Sequence, residues 1–199
     1  IFFKKFKKIK LITWVQDLWP ESLEATGTIK NKLILGIIKV FVKWTYHKND
    51  YLLAQSKSFE ESIKLIANKI PIAYCPNIGE LLLEKQNLNY KIDVKLEKNF
   101  NVIFAGNLGK AQSLNTIIEA ADILKNHEDI SFGIFGDGSA KNQVKEKIKK
   151  LNLKNIKLYG SYEAKYMPDL YSKASVLLVS LKKNTILSKT IPGKLQSYL

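Results

Sequence analysis

The chain has 199 residues, a formal net charge of +14 and one cysteine, and 46% of its residues are hydrophobic. That length gives one large domain or two small ones with a packed core, and the composition excludes collagen-like, low-complexity and fully disordered chains. Cys75 has no partner for an internal disulfide, which removes the small secreted scaffold and fits a reducing compartment. His47 and His127 have no second His or Cys at metal spacing, so no metal site is expected. All 32 basic residues are Lys. Base-edge and bidentate phosphate readers favour the Arg fork, so no nucleic acid partner is expected. An anionic membrane surface, which attracts point charges without geometric demand, suits the charge better. The chain begins Ile-Phe-Phe, its only Met is Met167, and it stops inside a helical pattern at Leu199, so both ends read as cut.

Residues 1–77 show strand patterns at 11–16, 51–55 and 72–75. The stretch Asn31 to His47 reads as a helix, apolar except for Lys32, Lys39 and Lys43, whose spacings of seven and four put them in one stripe. Its apolar run from Leu33 to Tyr46 would be about 21 Å long against roughly 30 Å of hydrocarbon, so it is too short to span a bilayer. It is either a core helix with one wet edge or an interfacial helix lying among headgroups. The basic-aromatic run Phe2-Phe-Lys-Lys-Phe-Lys-Lys8 would support the second reading. Ser58 with Glu61 forms a capping box opening a helix to about Asn68. From Pro76 to Asn99 the pattern fades, which sets 78–99 as an interdomain linker.

Residues 100–199 alternate strands and helices in four units, with strands at 101–105, 130–135, 155–159 and 175–180. Helical faces run from Leu114 to Leu124 and from Ala140 to Leu151, with a short helix from Met167 to Ala174. Strand–helix–strand repeats at this spacing predict βαβ crossovers and a parallel sheet, an α/β doubly wound half-fold with its ligand at the carboxyl ends of the strands. Three strands end on glycine, at Gly106, Gly136 and Gly160.

Three turns at that edge suit a phosphate. Gly106-Asn-Leu-Gly-Lys-Ala-Gln-Ser113 joins the first strand to its helix, with Ser113 as N-cap and Lys110 as a mobile charge. Gly136-Asp-Gly138 is either a plain turn or a tight turn that sets a carboxylate, Asp137, at the same edge of the sheet. Pro192-Gly-Lys194 opens the last helix with free amides and a Lys beside them. No Asp-x-Asp, Gly-x-Ser-x-Gly, Walker loop or His-based triad occurs, so hydrolases, P-loop enzymes and a metal clamp find no support.

Phe104-Ala-Gly-Asn-Leu-Gly-Lys-Ala-Gln112, Phe135-Gly-Asp-Gly138, Tyr166-Met-Pro-Asp-Leu-Tyr171 and Ile191-Pro-Gly-Lys-Leu-Gln-Ser-Tyr-Leu199 together resemble the carboxyl-terminal domain of retaining family 4 glycosyltransferases of the GT-B fold. Trp14-Val-Gln-Asp-Leu-Trp-Pro-Glu-Ser22, Gln55-Ser56 with Phe59, and Pro76-Asn77 resemble the end of that family's first domain. The likeness is greatest to the N-acetylfucosamine-transferase-like branch of bacterial surface-polysaccharide synthesis. It implies an acceptor-side Rossmann-like domain ending at 77 and a truncated donor-binding Rossmann-like domain at 100–199.

The resemblance also implies a reaction: transfer of a sugar from a nucleoside diphosphate to a lipid-linked or glycan acceptor, with retention and without a metal or other cofactor. It would occur in the cytoplasm, peripherally at the inner face of the membrane. Matched position by position, it assigns the donor to Gly106, Asn107, Gln112, Gly136, Asp137, Gly138, Gly193 and Ser197, and catalysis to Lys194, Lys110 and Asp17. Gln112 stands where many members have a phosphate-binding Lys. Lys189 and Ser197 stand where many have a pair of Glu. Asp17 follows the acceptor-side strand, although read locally it is equally a helix cap. A nucleotide-sugar epimerase of the same fold and a non-catalytic sugar- or polyanion-binding module are the alternatives.

Overall fold

The computed structural model describes Ile1, Lys4 and residues 9–77, 90–96 and 99–198. Apart from Lys4, the basic-aromatic run at 2–8 lies outside these residues, as does most of the expected linker. The chain forms two compact units, Ile1–Ile78 with Lys183–Ile191, and Gly79–Lys182 with Pro192–Leu199. Residues 183–191, expected to continue the second domain, thus belong to the first unit. The bonds that attach them there are Ser56 Oγ donating to Lys189 O at 2.7 Å and Lys189 Nζ donating to Ser62 Oγ at 2.8 Å.

The first unit carries β1 (Ile12–Val15), α1 (Glu21–Ala25), α2 (Lys32–His47), β2 (Tyr51–Ala54), α3 (Lys57–Lys64) and β3 (Ile72–Tyr74). The strands are parallel in the order β1-β2-β3. Val15, Leu52, Ala54, Phe59 and Ile63 form its core with Leu18, Tyr46 and Ala67. Asn31 caps α2, its Oδ1 accepting from the amides of Leu33 and Ile34. The cap of α3 is Ser56, not Ser58: Ser56 is extended (φ −141°, ψ 159°) and its Oγ accepts from Phe59 N at 3.1 Å. Phe59 and Ile63, four apart and both fully buried, fix the rotation of that helix and so place its start two residues before the expected box. The helix ends at Lys64, short of Asn68.

The core-helix reading of α2 fails. Only Leu35 and Tyr46 are buried along it, while Leu33, Ile37, Val40, Phe41 and Trp44 stand out in solvent, Leu33 being 80% exposed. At 100° per residue these five fall on one face opposite Leu35 and Val42, and Lys32, Lys39 and Lys43 run beside them.

The second unit carries β4 (Phe100–Ala105), α4 (Leu114–Ile123), β5 (Ile130–Phe135), α5 (Lys141–Lys150), β6 (Ile156–Gly160), α6 (Met167–Ser172), β7 (Val176–Leu177) and α7 (Gly193–Tyr198). Its parallel sheet runs β6-β5-β4-β7. The alternation of a strand sends Val102 and Phe104 into a core under α4 and α5 and Ile103 and Ala105 into a second core with Ile92, Phe135 and Leu170. Both faces of the sheet are therefore covered, as parallel sheets require. β7 is shorter than the expected 175–180. It leaves β4 after Leu178 N bonds Ile103 O, and Lys182 N then donates to Ala111 O at 2.9 Å.

Tyr90 to Leu96, expected within the linker, is instead part of the second unit. Asp169 on α6 holds it: one carboxylate oxygen accepts from Lys91 Nζ (3.0 Å), the other from Ile92 N (2.9 Å) and from Lys173 Nζ (2.9 Å). Burial pushes the Asp169 carboxyl pKa upward, but the Ile92 amide and the two ammonium groups outweigh it and hold the value at about 2.

At the carboxyl edge of the sheet the strand ends are laced together by backbone. Gly106 N donates to Phe135 O (2.9 Å), Gly136 N to Gly160 O (2.6 Å), Leu108 N to Asp137 O (2.8 Å) and Ala140 N to Leu108 O (2.9 Å). Gly136 has φ +138°, and a Cβ there would stand 1.9 Å from Gly106 O; one at Gly138 would stand 2.5 Å from Asn107 Oδ1. Only glycine allows this contact.

Two outcomes follow for stability. Asp169→Asn removes charge-assisted bonds and should destabilise the second unit by about 1–3 kcal/mol in urea unfolding at neutral pH. Because the folded pKa lies below the unfolded one, that stabilisation is present above about pH 4 and is lost as pH falls towards 2; the variant should lack this acid-sensitive portion. Gly136→Ala should lower stability by roughly 2–4 kcal/mol, since both the backbone angle and the carbonyl contact forbid a Cβ. A melting temperature equal to the parent's would refute the close approach.

Candidate functional site

The lacing of the three strand ends, of β4, β5 and β6, leaves a cavity of about 240 Å³ between the Gly106 and Gly136 turns, lined also by Asn107, Asp137, Ser161, Tyr162 and Met167. After Gly106 the backbone runs Asn107-Leu108-Gly109-Lys110 before α4. Leu108 is fully buried and anchors the loop, while Asn107 and Lys110 face outwards. Among the described residues no acceptor is found for the amide N–H groups of Asn107, Gly109 and Lys110. Such amides suit an anion's oxygens. Ser113 occupies the N-cap position of α4 but its hydroxyl pairs with Thr116 Oγ1 at 2.9 Å and caps no amide.

Lys194 is the side chain that the fold brings to this edge. It is the second residue of α7, which Tyr198 pins in place: the Tyr198 hydroxyl donates to Ala105 O (3.2 Å), and Tyr171 meets its ring edge-on at 5.1 Å. Lys194 Nζ lies 3.7 Å from the centre of the Phe104 ring and 3.5 Å from Gln112 Oε1. A Cβ on Gly106 would touch that Nζ at 3.1 Å, so the ammonium sits directly over the Gly106 turn. Burial lowers its pKa to about 8. Gln112 thus stands beside the ammonium as a neutral hydrogen-bond partner.

The remaining expected residues divide. Gly106, Asn107, Gly136, Asp137 and Gly138 come together as the sequence predicts. The Asp137 carboxylate is engaged locally, by Lys141 Nζ at 2.5 Å and Gly138 N at 2.7 Å, which holds its pKa below the usual carboxylate range. Lys110 is exposed, and no hydrogen bond or ion pair of its side chain is found among the described residues. Gly193 opens α7, and Ser197 Oγ points back along that helix to Gly193 O at 3.5 Å.

Asp17 follows β1 in the first unit, in a groove of about 300 Å³ between Trp14, Trp19 and Phe41, whose apolar surroundings raise its pKa. The helix-cap reading of Asp17 fails, because Pro20 holds the N-cap position of α1 and no side chain caps it. Sequence reasoning missed Ser161, Tyr162 and Met167 in the cavity wall. The glycine ending β6 was the available signal, since it marks a further turn at the same edge. Among the described residues no three His, Cys, Asp or Glu side chains come together as a ligand set for a metal ion.

The sequence profile of the family "Glycosyl transferases group 1" matches residues 86–185, half of the chain. The putative colanic acid biosynthesis glycosyl transferase WcaI of Escherichia coli is 29% identical, the match covering 98% of this chain and 50% of WcaI. The chain therefore spans about half the length of that relative. Among solved structures, WaaG, a glycosyltransferase involved in lipopolysaccharide biosynthesis, superposes with a TM-score of 0.64 at 12% identity over 92% of this chain and 56% of its own. Anabaena HepE, in complex with UDP and glucose, gives 0.61 at 13% identity over 87% and 47%. These likenesses establish an α/β fold of the GT-B type, and with half its length matched by the family profile the chain belongs to the group 1 glycosyl transferases.

Proposed function

We propose that this chain supplies the donor-phosphate site of a glycosyltransferase that moves a sugar from a nucleoside diphosphate to a lipid-linked or glycan acceptor in bacterial surface-polysaccharide synthesis, with retention. The observation that carries the reading is the seating of Lys194 over the Gly106 turn, in a loop whose amides at Asn107, Gly109 and Lys110 have no acceptor among the described residues. The diphosphate would lie along the Gly106–Asn107 turn and its growing negative charge would meet Lys194, with Lys110 a second, mobile cation. Because the Asp137 carboxylate is held by Lys141, its contribution would come through the turn it shapes. Tyr162 offers a ring on which the nucleotide base can stack.

The leaving diphosphate would accept the acceptor's proton in a front-side displacement, which breaks the sugar–phosphate bond as the acceptor oxygen bonds the same face of the sugar. Lys and amide dipoles, rather than a metal, would stabilise the departing group. HepE's complex with UDP and glucose supports a nucleotide-sugar ligand, and WcaI's description supports polysaccharide biosynthesis. Asp17, in its aromatic groove, would face the acceptor.

The reading places the protein at the inner face of the cytoplasmic membrane. The apolar face of α2, flanked by Lys32, Lys39 and Lys43, suits the interface of an anionic bilayer, and no helix among the described residues is long and apolar enough to cross one.

Acceptor-dependent release of nucleoside diphosphate by the whole protein tests the reaction class; donor isomerisation without acceptor would favour the epimerase. Lys194→Ala should lower turnover about 10²-fold with little change in melting temperature. Lys194 is charged below its pKa of about 8 and neutral above it, so nucleoside diphosphate affinity should fall roughly tenfold between about pH 7 and pH 9 and become flat in Lys194→Gln. A parent profile as flat as the variant's would remove Lys194 from the site. Vesicle binding should require anionic lipid, weaken with salt and drop in a Lys32, Lys39, Lys43→Gln variant. Equal binding to neutral vesicles would overturn the electrostatic account.

A further inference from the structure

The first unit contains a second cavity, of about 380 Å³, that none of the residues discussed above as donor contacts line. Three ammonium groups border it: Lys39 and Lys43, one turn apart on α2, and Lys189 from the 183–191 segment. One carboxylate, Glu21, shares the wall. Among the described residues neither Lys39 nor Lys43 has a carboxylate at ion-pair distance, and Lys189 Nζ bonds a neutral hydroxyl, Ser62 Oγ, at 2.8 Å. Three positive charges thus face one negative charge at a concave surface, an excess that concentrates an anion there. Apart from the Ser62 hydroxyl the rest of the wall is hydrocarbon, from Leu18, Leu65, Ile66 and Ile186, and among the described residues it carries no aromatic ring on which a base could stack.

Lysines at an apolar cavity recognise a compact anion attached to an apolar chain. Three point charges on flexible stems match phosphate oxygens without the geometry that a carboxylate fork would need. The same helix turns its apolar face, Leu33 to Trp44, outwards beside these lysines, so hydrocarbon and cation are presented by adjacent faces of one element. Lys189 stands five residues before Lys194 in the chain.

We propose that the Lys39–Lys43–Lys189 cavity binds the phosphate of an amphiphile, and that it is the seat of a lipid phosphate acceptor. The acceptor role rests on the transferase reading above; the binding of a phosphate amphiphile does not.

Titration calorimetry on the chain with decyl phosphate below its micelle concentration, with inorganic phosphate and with decanol tests it. Decyl phosphate should bind to one site and both other probes at least about tenfold more weakly, since each lacks half of the recognised chemistry. Lys189→Gln should weaken decyl phosphate roughly tenfold, the loss of one charge-assisted bond, and should leave vesicle binding unchanged because Lys189 is off the α2 stripe. Lys32→Gln, on the stripe but outside the cavity, should do the reverse. Inorganic phosphate binding as tightly as decyl phosphate would reduce the cavity to a simple anion site and overturn the amphiphile. Unchanged decyl phosphate affinity in both Lys189→Gln and a Lys39, Lys43→Gln variant, each with parental circular dichroism, would overturn the site. UDP titrated in parallel separates the two readings: failure to bind UDP with decyl phosphate retained would strike the donor reading alone, and the converse would strike this one alone.

Discussion

The contact between the Gly136 turn and the Gly106 carbonyl sets the second unit's working edge. Two strand ends approach until backbone meets backbone, at a separation that would put any Cβ at Gly136 within 1.9 Å of the carbonyl oxygen. The approach orders the loop that follows, because Leu108 then reaches Asp137 and Ala140 through its amide and carbonyl. With the loop fixed, the space above Gly106 is open for a long cationic side chain, and α7 delivers Lys194 into it. Burial makes the charge harder to hold, which is why its pKa falls, although the face of the Phe104 ring below the ammonium favours the cation. An incoming phosphate would reverse that imbalance.

The second unit was largely legible in the sequence because its strands and helices each carry a strong period and its turns carry glycine. Gly106, Gly136 and Gly138 could be placed at one edge from topology alone. Less legible were features that depend on tertiary choice. Ser56 and Ser58 both offer a hydroxyl three residues before a suitable position, and the burial of Phe59 with Ile63 decides between them. The 90–96 segment carries only a short alternation, Ile92, Val94 and Leu96 inwards between charged residues, too brief to assign it to a unit; the Asp169 carboxylate on α6 and the core around Ile92 hold it. Asp137 and Lys110 illustrate the limit at the site, since spacing marks both as near the edge and cannot tell that one is tied to Lys141 while the other is exposed, with no partner among the described residues.

The helix α2 shows the same limit in reverse. Its sequence is apolar enough to be a core helix, and an apolar stripe gives only a direction, not what lies there. The unit's own core needs one narrow strip of it, Leu35, Val42 and Tyr46, and leaves the broader strip outwards. Six exposed large apolar side chains along a single helix, Ile34 among them, exceed the scattered exposure usual for globular surfaces.

The membership of residues 183–191 in the first unit bears on how the chain is made. Ser56 and Ser62 lie early in the sequence, yet their partner Lys189 emerges from the ribosome only after every strand of the second unit has been synthesised. Strands β4, β5 and β6 of the second unit pair in sequence order and can close as they appear, whereas the first unit takes up a segment more than 100 residues downstream of its last strand. Synthesis order and domain order therefore part company. The lysine-bordered cavity, whose wall includes Ile186 and Lys189, is completed only once that segment has been made.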